Sequence, residues 1–439
     1  MSSHASIDVI APDRLDWRTP SELIPYKGNA RAHSRKQIQQ IASSIRQFGF
    51  TNPVLIDERD GIIAGHGRVA AAQQLGLARI PVLQIAHLSA AERRAYIIAD
   101  NKLAELAGWD QDILALEFEG LIELDFDLEL TGFAIAEIDD LFEAQTQSTQ
   151  DDSPDEYLGA THGPVVTKRG DIWALGPHRL LCGDARDADG ILRLMNGQVA
   201  DLIFTDPPYN VPINGHVLGK GQHHHAEFAF ASGEMSQAEF TTFLEAGLQP
   251  AAQACKNGAI AFVCMDWRHM REMMMAGDKI FSELKTLCIW NKTNAGMGSF
   301  YRSKHELVFV WKIGTAAHTN AFGLGETGRY RTNVWDYAGA NAFGSDRAAA
   351  LNMHPTVKPT KMIEDAIKDC TRRGERVLDP FGGSGSTLIA AEHAGRVAHL
   401  IEYEPTWCDT ILARFQRETG VEPIHVQTGA CFTDVRERV

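Results

Sequence analysis

Two hydrophobic rhythms divide this chain of 439 residues. In the first, short elements follow one another quickly. Ile38, Ile41, Ile45 and Phe48 recur at helical spacing behind Ser34, which predicts an amphipathic helix capped by that serine. Pro53-Val-Leu-Ile-Asp57 and Gly61-Ile-Ile-Ala64 are apolar runs on either side of Asp60-Gly61 and predict a hairpin. Gly65-His66-Gly67-Arg68 then enters a short helix through Ala72, and Ile80 to Ile85 is a further strand. Ser89, with Glu92 three residues on, is a capping box for a helix through Ala104. From Gly170 the rhythm lengthens. A hairpin turning at Gly176-Pro177 leads to strands at Asp201–Thr205, Ala259–Val263, Arg376–Asp379 and Val397–Ile401, with helices at Met235–Ala254 and Leu388–Ala394. Strands apolar on both faces, alternating with helices, predict an α/β fold with a doubly wound, mostly parallel sheet.

Length and charge refine this picture. The length calls for two or three domains, and a hydrophobic content of 44% is that of a globular protein with filled cores. The net charge of −15 argues against a nucleic-acid partner until it is divided along the chain. Residues 1–102 carry 13 Lys+Arg against 9 Asp+Glu, residues 103–160 carry 17 acids and no base, and residues 161–439 carry 29 bases against 31 acids. The acidity is local: either a solvated face with a linker, or a segment that competes with DNA for a basic groove. We expect a smaller α+β domain over 15–144, a polar linker over 145–164 and the α/β domain over 165–439. Seven scattered cysteines without a C-x-x-C fit a reducing cytoplasm and offer no zinc site. No signal peptide or bilayer-length apolar stretch is expected.

The chemistry lies at two strand ends. Asp206-Pro207-Pro208-Tyr209 closes the buried run Asp201–Thr205 with a carboxylate, two prolines of fixed φ and an aromatic face. That set suits a reaction on the exocyclic amine of a planar base, a poor nucleophile because its lone pair is delocalised into the ring. A carboxylate and a backbone carbonyl can hold its two N–H groups and turn the lone pair toward a methyl donor. Stacking on Tyr209 would contribute about 1–3 kcal/mol. Far downstream, Asp379-Pro380-Phe381-Gly382-Gly383-Ser384-Gly385-Ser386-Thr387 joins a strand to a helix. Its glycines allow close approach of a ligand, and the helix start presents free N–H groups. Glu402 ends the next strand, twenty residues after Gly382, the offset at which an acid takes the two hydroxyls of a ribose. No lysine follows the glycines as a phosphate loop requires, and Asp379 would repel a phosphate. A nucleoside with a cationic sulfonium fits better.

Together these motifs resemble the amino-methyltransferases of DNA, which use S-adenosylmethionine and carry a D/S/N-P-P-Y/F/W tetrapeptide and a D-P-F-x-G-S/G-G-S loop. The tetrapeptide comes first here, the circularly permuted order of that family's β group. The resemblance implies a Rossmann-like sheet and methyl transfer to a flipped base. N6 of adenine is favoured because Asp opens the tetrapeptide, with N4 of cytosine or an RNA substrate as alternatives. It implies that Asp206 accepts one amine N–H and the Pro207 carbonyl the other, that Pro208 stiffens the turn, and that Tyr209 stacks. It also implies cofactor contacts from Asp184, from Thr356 and Lys358 of His354-Pro-Thr-Val-Lys-Pro359, from Asp379, Phe381, Gly382, Gly383, Ser384, Gly385 and Ser386, and from Glu402. Lys285–Ile313 would supply the last two strands of the sheet.

The first domain resembles the ParB-like N-terminal fold of chromosome-partition proteins, shared distantly with sulfiredoxin. The carriers are Asn29-Ala-Arg31, Gly65-His66-Gly67-Arg68 and Ala99-Asp-Asn101-Lys102. Val69 stands where those proteins have a second base, and Asn101 lacks their Glu-Asn-x-x-Arg setting, so the resemblance implies the fold and not nucleotide hydrolysis. Gly65 to Arg68 is either an anion site, for a DNA phosphate or a nucleotide, or a structural turn. A DNA- or nucleotide-binding regulator is the rival reading of the whole chain, and the intact Asp206, Tyr209, Asp379 and Glu402 speak for an enzyme. Asn210–Gly233, with Lys220 and His223-His224-His225, lacks metal-ligand spacing and is expected to close over DNA. Gly314–Met353 is expected to hold the target-recognition region. Lys292, Arg302, Lys304, Arg329 and Arg331, with Arg68 in the first domain, are the expected DNA contacts. Double-stranded DNA is the expected partner, and a homodimer is compatible with such a chain.

Overall fold

The computed structural model describes residues 15–124, 126–146, 164–211, 231–292, 301–321, 331–338 and 358–437. It separates into two units, residues 1–145 and 146–439.

The first unit opens with β1 (Leu15–Arg18), α1 (Arg35–Phe48), β2 (Val54–Ile56), β3 (Ile62–Ala64), α2 (His66–Gln74), β4 (Ile80–Gln84) and α3 (Ala90–Glu105). The four strands form one sheet in the order β1-β4-β2-β3. Local chemistry sets the boundaries. The Ser34 side chain accepts from the Gln37 N–H, and Ser89 and Glu92 form the reciprocal capping box. At the hairpin, the Asp57 carboxylate accepts from the N–H groups of Arg59 and Gly61, while Asp60 takes a left-handed φ of 58°. Val54, Ile56, Ile62, Val69, Ile80 and Val82 form the core.

The acidic stretch is more than a solvated face. Within it α4 (Gln111–Glu123), a 3-10 turn at Leu128–Thr131 and α5 (Ile135–Thr146) close over their own core of Ala115, Phe118, Leu128, Ile138, Leu141 and Phe142. The helical spacing of Leu114, Phe118, Leu121 and Ile122 was legible, but the density of acids between them masked it.

The second unit runs β5 (Ile172–Leu175), β6 (His178–Cys182), α6 (Ala188–Met195), β7 (Ala200–Thr205), α7 (Gln237–Gln253), β8 (Cys255–Met265), α8 (Met270–Ile280), β9 (Glu283–Asn291), β10 (His305–Lys312) and β11 (Val334–Asp336). It continues with α9 (Thr360–Cys370), β12 (Arg376–Asp379), α10 (Ser386–His393), β13 (Val397–Glu402), α11 (Pro405–Thr419), β14 (Ile424–His425) and α12 (Phe432–Glu437). Ten strands form one sheet in the order β11-β9-β10-β8-β7-β12-β13-β6-β5-β14. Its centre, β8-β7-β12-β13-β6, is parallel throughout. The fold is α/β and doubly wound. Leu202 and Phe204 pack with α9, α10 and α11 on one face, whereas Ile203 packs with α6, α7 and α8 on the other. Both faces are covered, which explains why β7 reads as an unbroken apolar run.

One expectation about the sheet is corrected. Lys285–Ile313 contains β9 and β10, but the last strand on that side is β11, paired parallel to β9. Three residues are too short to announce a strand by alternation. Trp335 at its centre is buried, and the Asn291 amide donates to Asp336 at 2.5 Å.

The winding fixes where a ligand can go. From β7 the chain crosses to β8 on one side, and from β12 it crosses to β13 on the other. Between β7 and β12 the direction reverses, and their C-terminal ends splay into a crevice, the usual ligand position in such sheets. The tetrapeptide leaves β7 there and the glycine-rich loop leaves β12 beside it, although 173 residues separate Asp206 from Asp379 in the chain.

Candidate active site

Asp206 emerges from the fully buried β7 with its side chain only 20% exposed. Both of its oxygens carry a donor: the Tyr209 hydroxyl on Oδ1 at 2.5 Å and Lys358 Nζ on Oδ2 at 2.5 Å. Burial pushes the Asp206 carboxyl up from the usual range, against the pull of Lys358, and Glu306 adds to the rise. Burial likewise raises the Tyr209 hydroxyl well above its ordinary value, with Asp206 and Glu306 adding to it. The sequence reading missed Glu306. Standing on β10, it accepts from Tyr209 at 3.2 Å, lies 3.2 Å from Lys358 Nζ and pairs with Lys292. Burial works against its ionised form, but Lys358 and Lys292 overcome that and hold its pKa down to about 2. Lys358, 4% exposed, stays cationic because Asp206 and Glu306 outweigh the burial penalty. Only the acidic residue between β10 hydrophobics, in His305-Glu306-Leu307, could have signalled this role.

Packing and the next residue, Asn210, tie the tetrapeptide down. Pro207 is buried and Pro208 half-buried, so the turn is packed as well as stiff. Asn210 takes a left-handed φ of 53° and clasps the returning chain, donating to the Met235 carbonyl and accepting from the N–H groups of Gly233 and Met235. This clasp too was unread in the sequence, although Asn is among the residues that tolerate that conformation.

The glycine-rich loop is built around acids. Asp379, expected at the cofactor, is instead bonded into the fold. It accepts from Thr205 at 2.8 Å, from Thr387 at 2.6 Å and from the Phe381 N–H at 3.0 Å, tying β7, loop and α10 together. Burial pushes its pKa up to about 6. Phe381 turns away as well, its ring against Gly247 of α7. Ser384 and Ser386 lie 3.2 Å apart through their hydroxyls, and Arg414 of α11 holds both. Gly383 and Gly385 take φ of +53° and +82°, closed to most side chains, and a Cβ on Gly382 would come within 3.1 Å of the Ile401 carbonyl oxygen.

Glu402 and Asp184 stand at the C-terminal ends of β13 and β6, beside the glycine-rich loop. Glu402 ends β13 and accepts from the N–H groups of Gly383 and Glu404, both at 2.8 Å, which leaves lone pairs on each oxygen. Burial raises its pKa to about 7. Asp184 follows β6, the next strand, and Arg186 pairs with it at 2.6 Å and holds its carboxyl below the usual range. A narrow backbone cradle with a buried acid carrying spare acceptor positions fits a nucleoside whose ribose hydroxyls donate. Thr356 lies outside the described residues, and Lys358 stands at Asp206.

The expected DNA contacts divide. Arg302 and Lys304 are exposed before β10. Lys292 is spent on Glu306. Arg331 is corrected to a structural role. It bonds Asp369 at 2.8 Å and Tyr337 at 2.8 Å, lies over the Trp335 ring, and anchors β11 to α9. Arg329 and the histidine triplet His223–His225 lie outside the described residues. In the first unit, the Arg68 guanidinium lies against Gly65, whose added Cβ would come within 2.9 Å of it. Burial lowers the pKa of that guanidinium, and Asp100 offsets the drop in part. Asn101 donates to the Ile97 carbonyl at 2.8 Å within its own helix. Among the described residues no cluster of metal-ligating side chains occurs, and no helix is long and apolar enough to cross a membrane.

A doubly wound sheet with an acid-proline-proline-aromatic turn and a nucleoside cradle at its reversal point defines a nucleotide-cofactor transferase. Comparison with known families makes the class specific. Residues 200–413 match the DNA methylase family, residues 112–169 the ParB-methyltransferase HTH domain, and residues 17–102 the ParB N-terminal domain. The chain is 51% identical over 76 residues to the ParB-like nuclease domain-containing protein YnaK of Escherichia coli K12, covering 17% of this chain and 87% of that protein. Among solved structures it is similar to PvuII DNA methyltransferase (cytosine-N4-specific), with 16% identity, a TM-score of 0.42 and coverage of 63% and 95% of the two chains. It is also similar to the M1.HpyAVI–SAM complex, with 19% identity, a TM-score of 0.38 and coverage of 54% and 97%. The chain therefore combines a DNA methylase domain of the N6-adenine or N4-cytosine kind over residues 200–413 with a ParB N-terminal domain and a ParB-methyltransferase HTH domain. The acidic two-helix module falls within that HTH match.

The reassignment of Arg331 has a direct consequence. Arg331→Ala removes the ion pair to the buried Asp369 and is expected to destabilise the fold by about 3–5 kcal/mol. Lys304→Ala, at an exposed position, is expected to change stability by no more than about 0.5 kcal/mol. Thermal unfolding distinguishes them, and equal midpoints would return Arg331 to the DNA surface.

Proposed function

We propose that this protein methylates N6 of adenine in double-stranded DNA, using S-adenosylmethionine. The observation that carries the proposal is Asp206, largely sheltered at the reversal point and paired with Lys358, with Tyr209 beside it and the Gly383–Glu402 cradle on the adjoining strands. An aspartate at the head of the tetrapeptide favours adenine over cytosine by family resemblance. The cofactor supplies an activated methyl group on a sulfonium.

The protein's own groups supply position. Glu402 holds the ribose hydroxyls through its spare lone pairs, Asp184 lies on the adenine side, and the backbone of Gly383 to Gly385 lines the floor. The target base leaves the stack, at a cost of a few kcal/mol, because its amine is shielded within the duplex. Asp206 then accepts one amine N–H and the Pro207 carbonyl the other, while the Tyr209 ring covers the base. The amine nitrogen would take the methyl carbon in line as the carbon–sulfur bond breaks and S-adenosylhomocysteine leaves as a neutral thioether, and it would give up a proton, for which Asp206 is the nearest acceptor. Most of the acceleration comes from alignment. Arg302 and Lys304 contact phosphate, and in the ParB-type unit Gly65 to Arg68 does the same, Arg68 swinging away from Gly65 to reach it.

Three outcomes test this reading. Asp206→Ala is expected to abolish methyl transfer in a radiolabelled assay while S-adenosylmethionine still binds; near-normal transfer refutes the role. Because the ribose hydroxyls donate to ionised Glu402, whose pKa is raised to about 7, cofactor affinity should be full above that pH and fall as the carboxyl is protonated below it. Glu402→Gln should weaken binding at least about tenfold at pH 8 and flatten the pH dependence, as read by calorimetry; an unchanged constant places the ribose elsewhere. Deleting residues 1–144 should weaken binding to long DNA with a shallower salt dependence, while short duplexes are still methylated. Equal salt slopes would leave Gly65 to Arg68 as a structural turn.

A further inference from the structure

The two donors on Asp206 are both shared with Glu306. Lys358 Nζ lies 2.5 Å from Asp206 and 3.2 Å from Glu306, and the Tyr209 hydroxyl lies 2.5 Å from Asp206 and 3.2 Å from Glu306. Glu306 is anchored independently by Lys292 and by its place on β10, which pairs with β8 and β9 on either side. In this arrangement the carboxylate meant for the amine is occupied, and a cation stands beside it. That cation opposes transfer, because positive charge develops on the attacking nitrogen as the N–C bond forms. The interaction is strong in so sheltered a site.

We infer that Glu306 is a positioning residue for the transfer: it takes Lys358 and the Tyr209 hydroxyl off Asp206 as the target amine enters. The movement is short because both donors already lie within reach of both acids. It keeps Lys358 paired throughout, so no buried charge is left alone. It also moves positive charge away from the reacting nitrogen and frees both Asp206 oxygens for the amine. The inference rests on the amino-methyltransferase reading proposed above.

The groups facing Asp206 are Lys358, Glu306, Tyr209, Cys264 of β8 and Asp379 of β12, with Lys292 behind Glu306. Two of them shift its titration in opposite directions: the Glu306 charge raises it and the Lys358 charge lowers it. Glu306→Gln should therefore lower kcat at least about tenfold, leave KM for S-adenosylmethionine unchanged within about twofold, and move the acidic limb of the kcat profile to lower pH. Lys358→Met should move that limb to higher pH. Glu306→Asp should recover part of kcat. Loss of kcat with an unmoved acidic limb and a lowered unfolding temperature would make Glu306 structural and overturn the inference, as would an unchanged kcat. Failure of the wild-type protein to methylate DNA would overturn the functional reading itself, a separately recognisable result.

Discussion

Two carboxylates buried at the end of a parallel sheet set the terms for the rest of this site. An unpaired buried acid costs several kcal/mol, and Asp206 and Glu306 lie close enough to repel each other. Lys358 and Lys292 neutralise them, one placed before α9 and the other after β9. Lys358 in turn stays charged because the two acids outweigh its burial. The cluster is neutral as a whole and locally unbalanced, with Lys358 able to lean toward either acid. That property lets one carboxylate be offered to a ligand without leaving a charge uncompensated.

The same logic organises the neighbouring loop. The bonds of Asp379 to Thr205, Phe381 and Thr387 lock the end of β7 to the start of the glycine-rich turn. The two motifs are thus registered by a buried acid and two hydroxyls. Glu402 fixes the far side of the turn through the Gly383 N–H while keeping spare acceptors. On the proposed reading, three acids at three adjoining strand ends divide the work: Asp206 for the base, Asp379 for the frame and Glu402 for the cofactor. Environment, more than residue type, separates the roles.

The sequence carried the fold and the two motifs because both are local. A buried strand running into Asp-Pro-Pro-Tyr, and a strand, glycine turn and helix followed by an acid twenty residues later, are each written in one short stretch. Ser34 and the Ser89–Glu92 box were legible for the same reason. What stayed hidden depends on distant pairing. Glu306 is 100 residues from Asp206, and its own strand marks it only as an acid ahead of an apolar run. Lys358 and Arg331 were assigned by position in a motif or by charge, and the acids that pair with them, Asp206 and Asp369, lie far off in the chain. The acidic two-helix module was obscured by composition: 17 acids and no base between residues 103 and 160 drew the eye from a short apolar period.

The central claim is that the chemistry occurs on the exocyclic amine of a base, adenine before cytosine. The most direct measurement is product analysis after reaction of the purified protein with duplex DNA and isotopically labelled S-adenosylmethionine. The DNA is digested to nucleosides and the label located by chromatography and mass spectrometry. The account predicts the label in N6-methyladenine. Label in N4-methylcytosine would overturn the choice of base while keeping the amine chemistry, and label on ring carbon, or none in DNA, would contradict the account.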